Sequence, residues 1–214
     1  MLRALWGPLL ITVASVAHAV LRLGDLPDPM PIHWGLQGDP DGWAPRGVAI
    51  MFGPCLTLLI PAIVVVAARL DPVGRLDVRA PGRLAAMTTS IAVFGLVVSG
   101  LVVEVACAPV PRLEGRWVLV AVGALFTVLA ATLRGIPRNG VAGVRTPWSL
   151  ASDDNWEATH RLAVPAMAIG GGVTVVAALL LPEAGALAVT FAALLGSVGL
   201  GFVPGLRAAF AKPS

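Results

Sequence analysis

Six long apolar segments constrain the fold of this chain more than any other feature of its sequence. They lie at residues 5–21, 47–68, 84–106, 117–133, 163–181 and 186–203. Each is close to the roughly 20 residues with which an α-helix crosses a 30 Å hydrocarbon core. Only 13% of the 214 residues are charged, about half the usual share in a water-soluble domain. We therefore predict an all-α membrane protein with six transmembrane helices and no soluble domain.

The basic residues predict how these helices are oriented. Six spans place both termini on one side of the membrane, and eleven of the fifteen Lys and Arg residues then share that side. The positive-inside rule assigns this side to the cytoplasm. We expect an N-in, C-in topology, with an N-terminal helical hairpin at 1–69 and a four-helix region at 70–214. An arginine excess in a membrane protein usually sets its topology. The net charge of +3 therefore does not indicate a nucleic-acid partner.

The first apolar segment fits two interpretations. A basic residue, an apolar run and the small-x-small triplet at residues 17–19 are typical of a cleaved signal peptide. The run is long for a signal peptide and continues through Val20 and Leu21, which favours a retained helix. Both interpretations place residues 24–46 outside the cell.

The outer loop at 24–46 contains five prolines and four glycines, which exclude a regular helix. The sequence Gly-Asp-Pro-Asp-Gly at 38–42 predicts a turn, and we expect His33 and Trp34 at the membrane interface. The imidazoles and carboxylates near this face suit a divalent metal; they are His18, His33, Asp39, Asp41 and Glu104. Because no fixed spacing supports such a site, turn-forming aspartates and an interfacial histidine are the favoured interpretation. We predict no metal and no cofactor.

Glu104 is the one acidic residue within a predicted span. An intramembrane carboxylate is a functional hypothesis by default, and Glu104 could serve a small transporter or channel for a peptide or an ion. The alternative is that Glu104, close to the end of its span, reaches headgroup water and pairs with Arg112. The sequence contains no Ser-His-Asp order, no paired catalytic carboxylates and no phosphate loop, so we predict no enzyme activity.

The longest polar interruption after residue 50 is the loop at 134–162, predicted to be cytoplasmic. Its second half has the features of a helix start, because Ser152 can cap the helix and Asp153 and Asp154 suit the positive end of the dipole. Glu157 and Arg161 have the i,i+4 spacing of an ion pair.

Two groups of residues in this loop are candidates for binding. Helical periodicity places Trp156, Thr159 and His160 on one face, and the preceding segment at 145–148 is expected to be extended along the interface. The loop serves either as a headgroup anchor or as a docking surface for a partner, and both roles require Trp and Arg.

The loop resembles the signature of the SdpI family, bacterial membrane proteins named for immunity to a secreted sporulation-delaying toxin. The family pattern is glycine, hydrophobic, arginine, threonine, proline, tryptophan, threonine, leucine, then tryptophan, two residues, threonine, histidine, arginine. The matching residues are Gly143, Arg145, Thr146, Pro147, Trp148, Leu150, Trp156, Thr159, His160 and Arg161. Ser149 replaces the usual threonine.

The outer loop is similar to a domain of unknown function that often begins members of this family. The matching residues are Pro31, His33, Trp34, Gly38, Pro40, Asp41 and Gly42. The resemblance implies a multi-pass protein of the bacterial cytoplasmic membrane that protects its cell from a membrane-active peptide toxin. It also implies, from the founding case, capture of a transcriptional repressor on the inner side. A structural membrane subunit without a ligand is a third hypothesis.

Overall fold

The computed structural model describes residues 3–74 and 76–210, and six helical segments in this part of the chain are long and apolar enough to cross a membrane. With helices numbered along the chain, they are Arg3–Leu21 (α1), Arg46–Leu70 (α2 to α4), Pro81–Ala106 (α6), Gly115–Leu133 (α7), Asp153–Leu180 (α9) and Glu183–Phe210 (α10). Two short helices, Leu76–Arg79 (α5) and Pro147–Ala151 (α8), lie outside them. The prediction of an all-α membrane protein with six spans is confirmed.

The helix of the fifth span begins at Asp153, as the helix-start features around Ser152 predicted, ten residues before the apolar segment begins at residue 163. The Ser152 hydroxyl accepts a hydrogen bond from the backbone N–H of Asn155, and two aspartates occupy the first turn. Such a cap fixes the start of a helix whatever the polarity of its first turns. About a third of the predicted cytoplasmic loop is therefore the start of α9.

The second span is interrupted, as its two prolines predict. It consists of Arg46–Ala49 (α2), Phe52–Pro54 (α3), a π-helical turn at Cys55–Leu59 and Ile60–Leu70 (α4). Pro61 has no N–H to donate, so the regular hydrogen bonding cannot continue through it. Within the π turn, the Thr57 hydroxyl donates to the Gly53 carbonyl and also bonds the Thr12 hydroxyl of α1. A kink with its polar groups satisfied in this way is tolerated in a membrane.

The outer loop forms an antiparallel hairpin of Met30–Trp34 (β1) and Pro40–Ala44 (β2). The turn lies at residues 35–39, where the Gly35 N–H donates to the Asp39 carbonyl and Gly38 has a φ of +82°. The prediction of a turn across 38–42 was thus wrong in its position, because Pro40 already begins β2. Proline is acceptable there since it occupies the first position of an edge strand.

The helices form a bundle in which α1 packs against α6, and α9 packs against α7 and α10, with α6 and α7 in contact. The largest buried cluster includes Val65, Leu84, Met87, Leu133 and Trp156. Many apolar side chains on the outside remain exposed, among them Leu10, Phe191 and Leu195. Exposed apolar surface of this extent fits a lipid environment.

The connections gather at two opposite ends of the bundle. We call the end that carries β1, β2 and the α6–α7 connection the hairpin end, and the end that carries residues 134–152 the loop end. The loop end carries nine arginines and five carboxylates in the described residues, whereas the hairpin end carries four arginines and seven carboxylates. This asymmetry underlies the N-in, C-in expectation, which stays a prediction.

Candidate functional site

His160 lies at the centre of the loop end, and only 7% of it is exposed. Its Nε2 accepts a hydrogen bond from the Val144 N–H at 3.1 Å, and its Nδ1 lies 2.9 Å from the Trp156 carbonyl oxygen. Because a backbone N–H can only donate, Nε2 must be unprotonated, and Nδ1 therefore carries the proton that the carbonyl accepts. His160 is thus held as one neutral tautomer that joins α9 to the preceding loop.

Trp156 covers the imidazole of His160. The two rings stack with centroids 3.9 Å apart, and the Trp156 Nε1–H donates to the Ile136 carbonyl at 2.9 Å. Thr159, on the same face of α9, is fully buried, and its Oγ1 has no hydrogen-bond partner among the described residues. The predicted common face of Trp156, Thr159 and His160 therefore points into the protein.

Gly143 brings the loop against His160. Its φ is +110°, and a Cβ at this position would overlap the His160 Nε2. The position requires glycine for two reasons, because an L-residue is strained at this φ and has no room for its side chain. The family glycine at 143 thus allows the Val144 N–H to reach the imidazole.

Two buried polar side chains shape the loop before Gly143. The Asn139 Oδ1 accepts from the N–H groups of Val141 and Ala142, both at 2.8 Å. The Asp71 carboxylate, which follows the second span, accepts from the Gly140 N–H at 3.0 Å. It also caps its own turn through two further backbone N–H groups. Asp71 thereby ties the N-terminal part of the chain to the loop.

Sequence reasoning missed the contribution of Asp71 because its partner Gly140 is 69 residues away. The local signal was nevertheless present, since an aspartate followed by proline and glycine at 72 and 74 is typical of an Asx turn.

Residues 147–151 form the short helix α8, so the prediction of an extended segment at 145–148 was wrong for Pro147 and Trp148. The Thr146 side chain accepts from the Ser149 N–H, and the Ser149 hydroxyl accepts from the Thr146 N–H. This reciprocal cap, with proline at the first helical position, favours a helix start. Arg145 and Pro147 are exposed, and Trp148 is half-buried.

Arg161 is exposed on the third turn of α9. It forms no ion pair with Glu157 in the described part of the chain, although their spacing predicted one. An ion pair at this end joins Arg138 to Asp153, with Nε and Oδ1 2.8 Å apart.

An apolar cavity of about 360 Å³ lies beneath the loop. The loop and helices α4, α6, α7, α9 and α10 line it. The lining includes Val64, Met87, Phe126, Val144, His160 and Met167. His160 is the one titratable residue in this lining, and both of its ring nitrogens are already bonded.

At the hairpin end, the strands dock onto the connection between α6 and α7. The Trp34 Nε1–H donates to the Pro111 carbonyl at 2.7 Å, and the Arg112 guanidinium donates to the Gln37 carbonyl. His33 Nδ1 and Asp41 Oδ1 lie 2.5 Å apart across the strands, with both side chains more than half exposed. Asp39 contributes its carbonyl to the hairpin turn.

Glu104 joins the ends of α1 and α6. Its carboxylate accepts from the Arg22 Nε at 3.0 Å and Nη2 at 2.8 Å, and its Oε1 lies 2.7 Å from the His18 Nε2. The expected pairing with Arg112 was wrong, because Arg112 binds the hairpin. The hydrogen bond to Glu104 and its negative charge raise the pKa of the Arg22 guanidinium.

Four of the five candidate metal ligands of the outer face form two separate pairs, His18 with Glu104 and His33 with Asp41, and Asp39 belongs to neither pair. In residues 3–74 and 76–210, no group of three or more His, Cys, Asp or Glu side chains is placed to hold a metal ion.

Comparison with protein families assigns both motif regions. Residues 135–205 match the SdpI/YfhL protein family, and residues 10–66 match a domain of unknown function, DUF1648. No curated protein and no solved structure matches the chain. The first match contains the loop with Gly143 and His160, and the second contains the hairpin with His33 and Trp34. The resemblance seen in the sequence is therefore confirmed: the chain carries an SdpI/YfhL family region behind an N-terminal DUF1648 domain.

Proposed function

We propose that this protein protects a bacterial cell from a membrane-active peptide and reports the encounter to a cytoplasmic partner. Membership of residues 135–205 in the SdpI/YfhL family supports a membrane protein of immunity type. The peptide meets the hairpin end outside the cell, and the partner, a transcriptional repressor, docks at the loop end. The arginine excess of the loop end supports its cytoplasmic placement.

The observation that carries this proposal is that α6 is hydrogen-bonded to neighbouring parts of the bundle near both of its ends. At the hairpin end, Glu104 of α6 holds α1 through Arg22. At the loop end, Arg83 of α6 donates to the Thr132 carbonyl of α7, two residues before the loop begins. Thr88 of α6 donates to the Ala4 carbonyl of α1. A peptide that prefers one arrangement of α1 and α6 thereby shifts the population of loop conformations.

The exposed signature residues provide the surface for the repressor. Arg145, Pro147 and Arg161 are accessible from the aqueous side of the loop end. Trp156, Thr159 and His160 are buried, so they act on the partner through the shape of the loop. The protein has no direct nucleic-acid contact in this scheme, and no catalytic step is assigned to it.

The second candidate is a small transporter or channel that uses Glu104. The 2.7 Å contact between the Glu104 carboxylate and the His18 imidazole favours it, because such a pair can pass a proton. This candidate predicts that Glu104→Gln abolishes proton-coupled flux in proteoliposomes. The receptor predicts that no such flux exists.

The deciding experiment expresses the protein in a sensitive bacterium that carries a reporter for the repressor and challenges the cells with membrane-active peptides. We expect Trp34→Ala, which releases the hairpin, to lose both survival and reporter response. We expect Arg161→Ala to retain survival and to lose the reporter response. Arg134→Ala, an exposed arginine at the same end but outside the signature, is the matched control. Survival and response that persist in both Trp34→Ala and Arg161→Ala cells contradict the proposal.

A further inference from the structure

A surface groove lies at the loop end between α8 and the last two turns of α10. Its volume is about 470 Å³, within the range of small-molecule sites. Trp148 and Pro147 form one wall, and Phe202 and Leu206 form the other. Phe202 and Leu206 are about half exposed, so the groove opens on the outside of the bundle.

Two glycines of α10 allow α8 and the loop to approach this closely. A Cβ on Gly205 would lie 3.3 Å from the Trp148 ring, and one on Gly201 would lie 3.0 Å from Val144. Trp148 is therefore held against the end of a membrane span, with the start of α9 beside it. Because α10 is long and apolar enough to cross a membrane, we expect the groove at its end to lie near the lipid headgroups.

Two hydrogen-bond donors at the groove remain unused. Arg145 donates through Nη1 to the Gly140 carbonyl at 2.7 Å, and its other guanidinium N–H groups have no partner within the described residues. The Trp148 indole N–H likewise has no partner in that part of the chain, whereas the buried Trp156 and the hairpin Trp34 each donate to a backbone carbonyl. A guanidinium and an indole N–H beside an apolar groove match a phosphodiester that carries acyl chains.

The charge of the surroundings selects among phospholipids. The described residues at the loop end include nine arginines, namely Arg3, Arg69, Arg79, Arg83, Arg134, Arg138, Arg145, Arg161 and Arg207. Five carboxylates oppose them, and the nearest of these along the chain, Asp153, is bonded to Arg138. This excess favours an anionic headgroup over a zwitterionic one.

We propose that this groove is a binding site for an anionic phospholipid of the adjacent leaflet. One acyl chain lies between Trp148 and the apolar wall of α10, and the phosphate accepts hydrogen bonds from Arg145 and the Trp148 indole. The lipid would brace α8 against α10 and so hold the segment that leads to Gly143 and His160. This inference does not depend on the proposed immunity function.

The test measures lipid binding by the full-length protein in dodecylmaltoside micelles. Phosphatidylglycerol with brominated acyl chains is titrated in, and quenching of tryptophan emission gives the affinity; phosphatidylcholine with the same chains is the comparison. We expect the wild type to prefer phosphatidylglycerol. Arg145→Gln should weaken its binding about fivefold, the effect of one basic residue near an anionic surface, whereas Arg134→Gln, outside the groove, should not.

Two further measurements locate the site. Trp148→Phe should remove the part of the quenching that phosphatidylglycerol causes and phosphatidylcholine does not, because Trp6 and Trp117, which are 63% and 47% exposed, stay open to quenching by either lipid. Arg145→Lys, which keeps the charge, should keep the preference and controls for misfolding. The proposal is overturned by equal binding of the two lipids to the wild type, or by equal weakening in Arg145→Gln and Arg134→Gln. Survival of the phosphatidylglycerol-specific part of the quenching in Trp148→Phe overturns it as well. Competition by millimolar inorganic phosphate would indicate a free-anion site and would also refute a lipid site.

Discussion

Replacing Gly143 by alanine should destabilise the protein through two separable effects. A non-glycine residue at a φ of +110° costs of order 1–3 kcal/mol in backbone strain. The new methyl group also displaces the His160 ring, and the loss of the hydrogen bond to the Val144 N–H costs about 1–3 kcal/mol. We therefore expect Gly143→Ala to lower the free energy of unfolding by roughly 2–6 kcal/mol.

A double-mutant cycle with His160→Ala separates the two effects. When the imidazole is absent, the alanine at 143 meets no ring, and only the backbone strain of about 1–3 kcal/mol should remain. The coupling free energy between the two substitutions should thus be about 1–3 kcal/mol. Gly135→Ala is the matched control, because Gly135 also has a positive φ but its Cβ would meet only a side-chain nitrogen at 3.7 Å.

The assay is equilibrium unfolding by SDS from mixed micelles, followed by far-UV circular dichroism. Gly135→Ala should lose the same free energy in the wild-type and His160→Ala backgrounds. If Gly143→Ala also loses equal free energy in both backgrounds, the imidazole contact does not explain the glycine, and the central place of His160 in the loop is refuted.

Three other substitutions test the contacts at the two ends. Asp71→Asn removes a carboxylate that accepts hydrogen bonds from three backbone N–H groups. It should lower the free energy of unfolding by about 2 kcal/mol and speed hydrogen exchange at 140–144. Asp154→Asn, at an exposed position, should do neither. Trp34→Phe keeps the ring but loses the bond to the α6–α7 connection; proteolysis within 30–44 should accelerate, unlike in Trp43→Phe. Glu104→Gln should lower the melting temperature in detergent, and an unchanged value would show that its bonds to the end of α1 do not stabilise the bundle.

The six spans could be predicted because the length and apolar composition of each segment are visible in the segment itself. Apolar length alone does not show where a helix continues beyond its apolar segment. The first ten residues of α9 are such a case, because the Ser152 cap sets their start. Apolar length also does not predict the strands β1 and β2, because their pairing depends on the docking of Trp34 and Arg112 across the hairpin end. The π turn at 55–59 could not be predicted from its own segment, because its Thr57 hydroxyl bonds Thr12 on another helix.

The site was predictable to the extent that its geometry is local. Helical spacing alone placed Trp156, Thr159 and His160 together, and the structure shows them together and buried. Val144 and Ile136 cover them. Both belong to a loop whose path depends on long-range hydrogen bonds, so this part of the site could not be predicted. The error at Pro147 was avoidable, since threonine, proline at the first helical position and serine two residues later are a helix-start signal.

The two tryptophans of the signature lie in different environments, so the segment can hold the loop through one of them and offer the other to a ligand. Trp156 is buried, and its N–H is bonded to a loop carbonyl, so it anchors the loop to α9. Trp148 lies half-buried at a surface groove with its N–H open to a ligand. Because Val144, four residues before Trp148, is hydrogen-bonded to the His160 that stacks on Trp156, we expect a change at the groove to alter the loop. Substitutions at Trp156 should therefore reduce stability first, whereas substitutions at Trp148 should change binding while the fold persists.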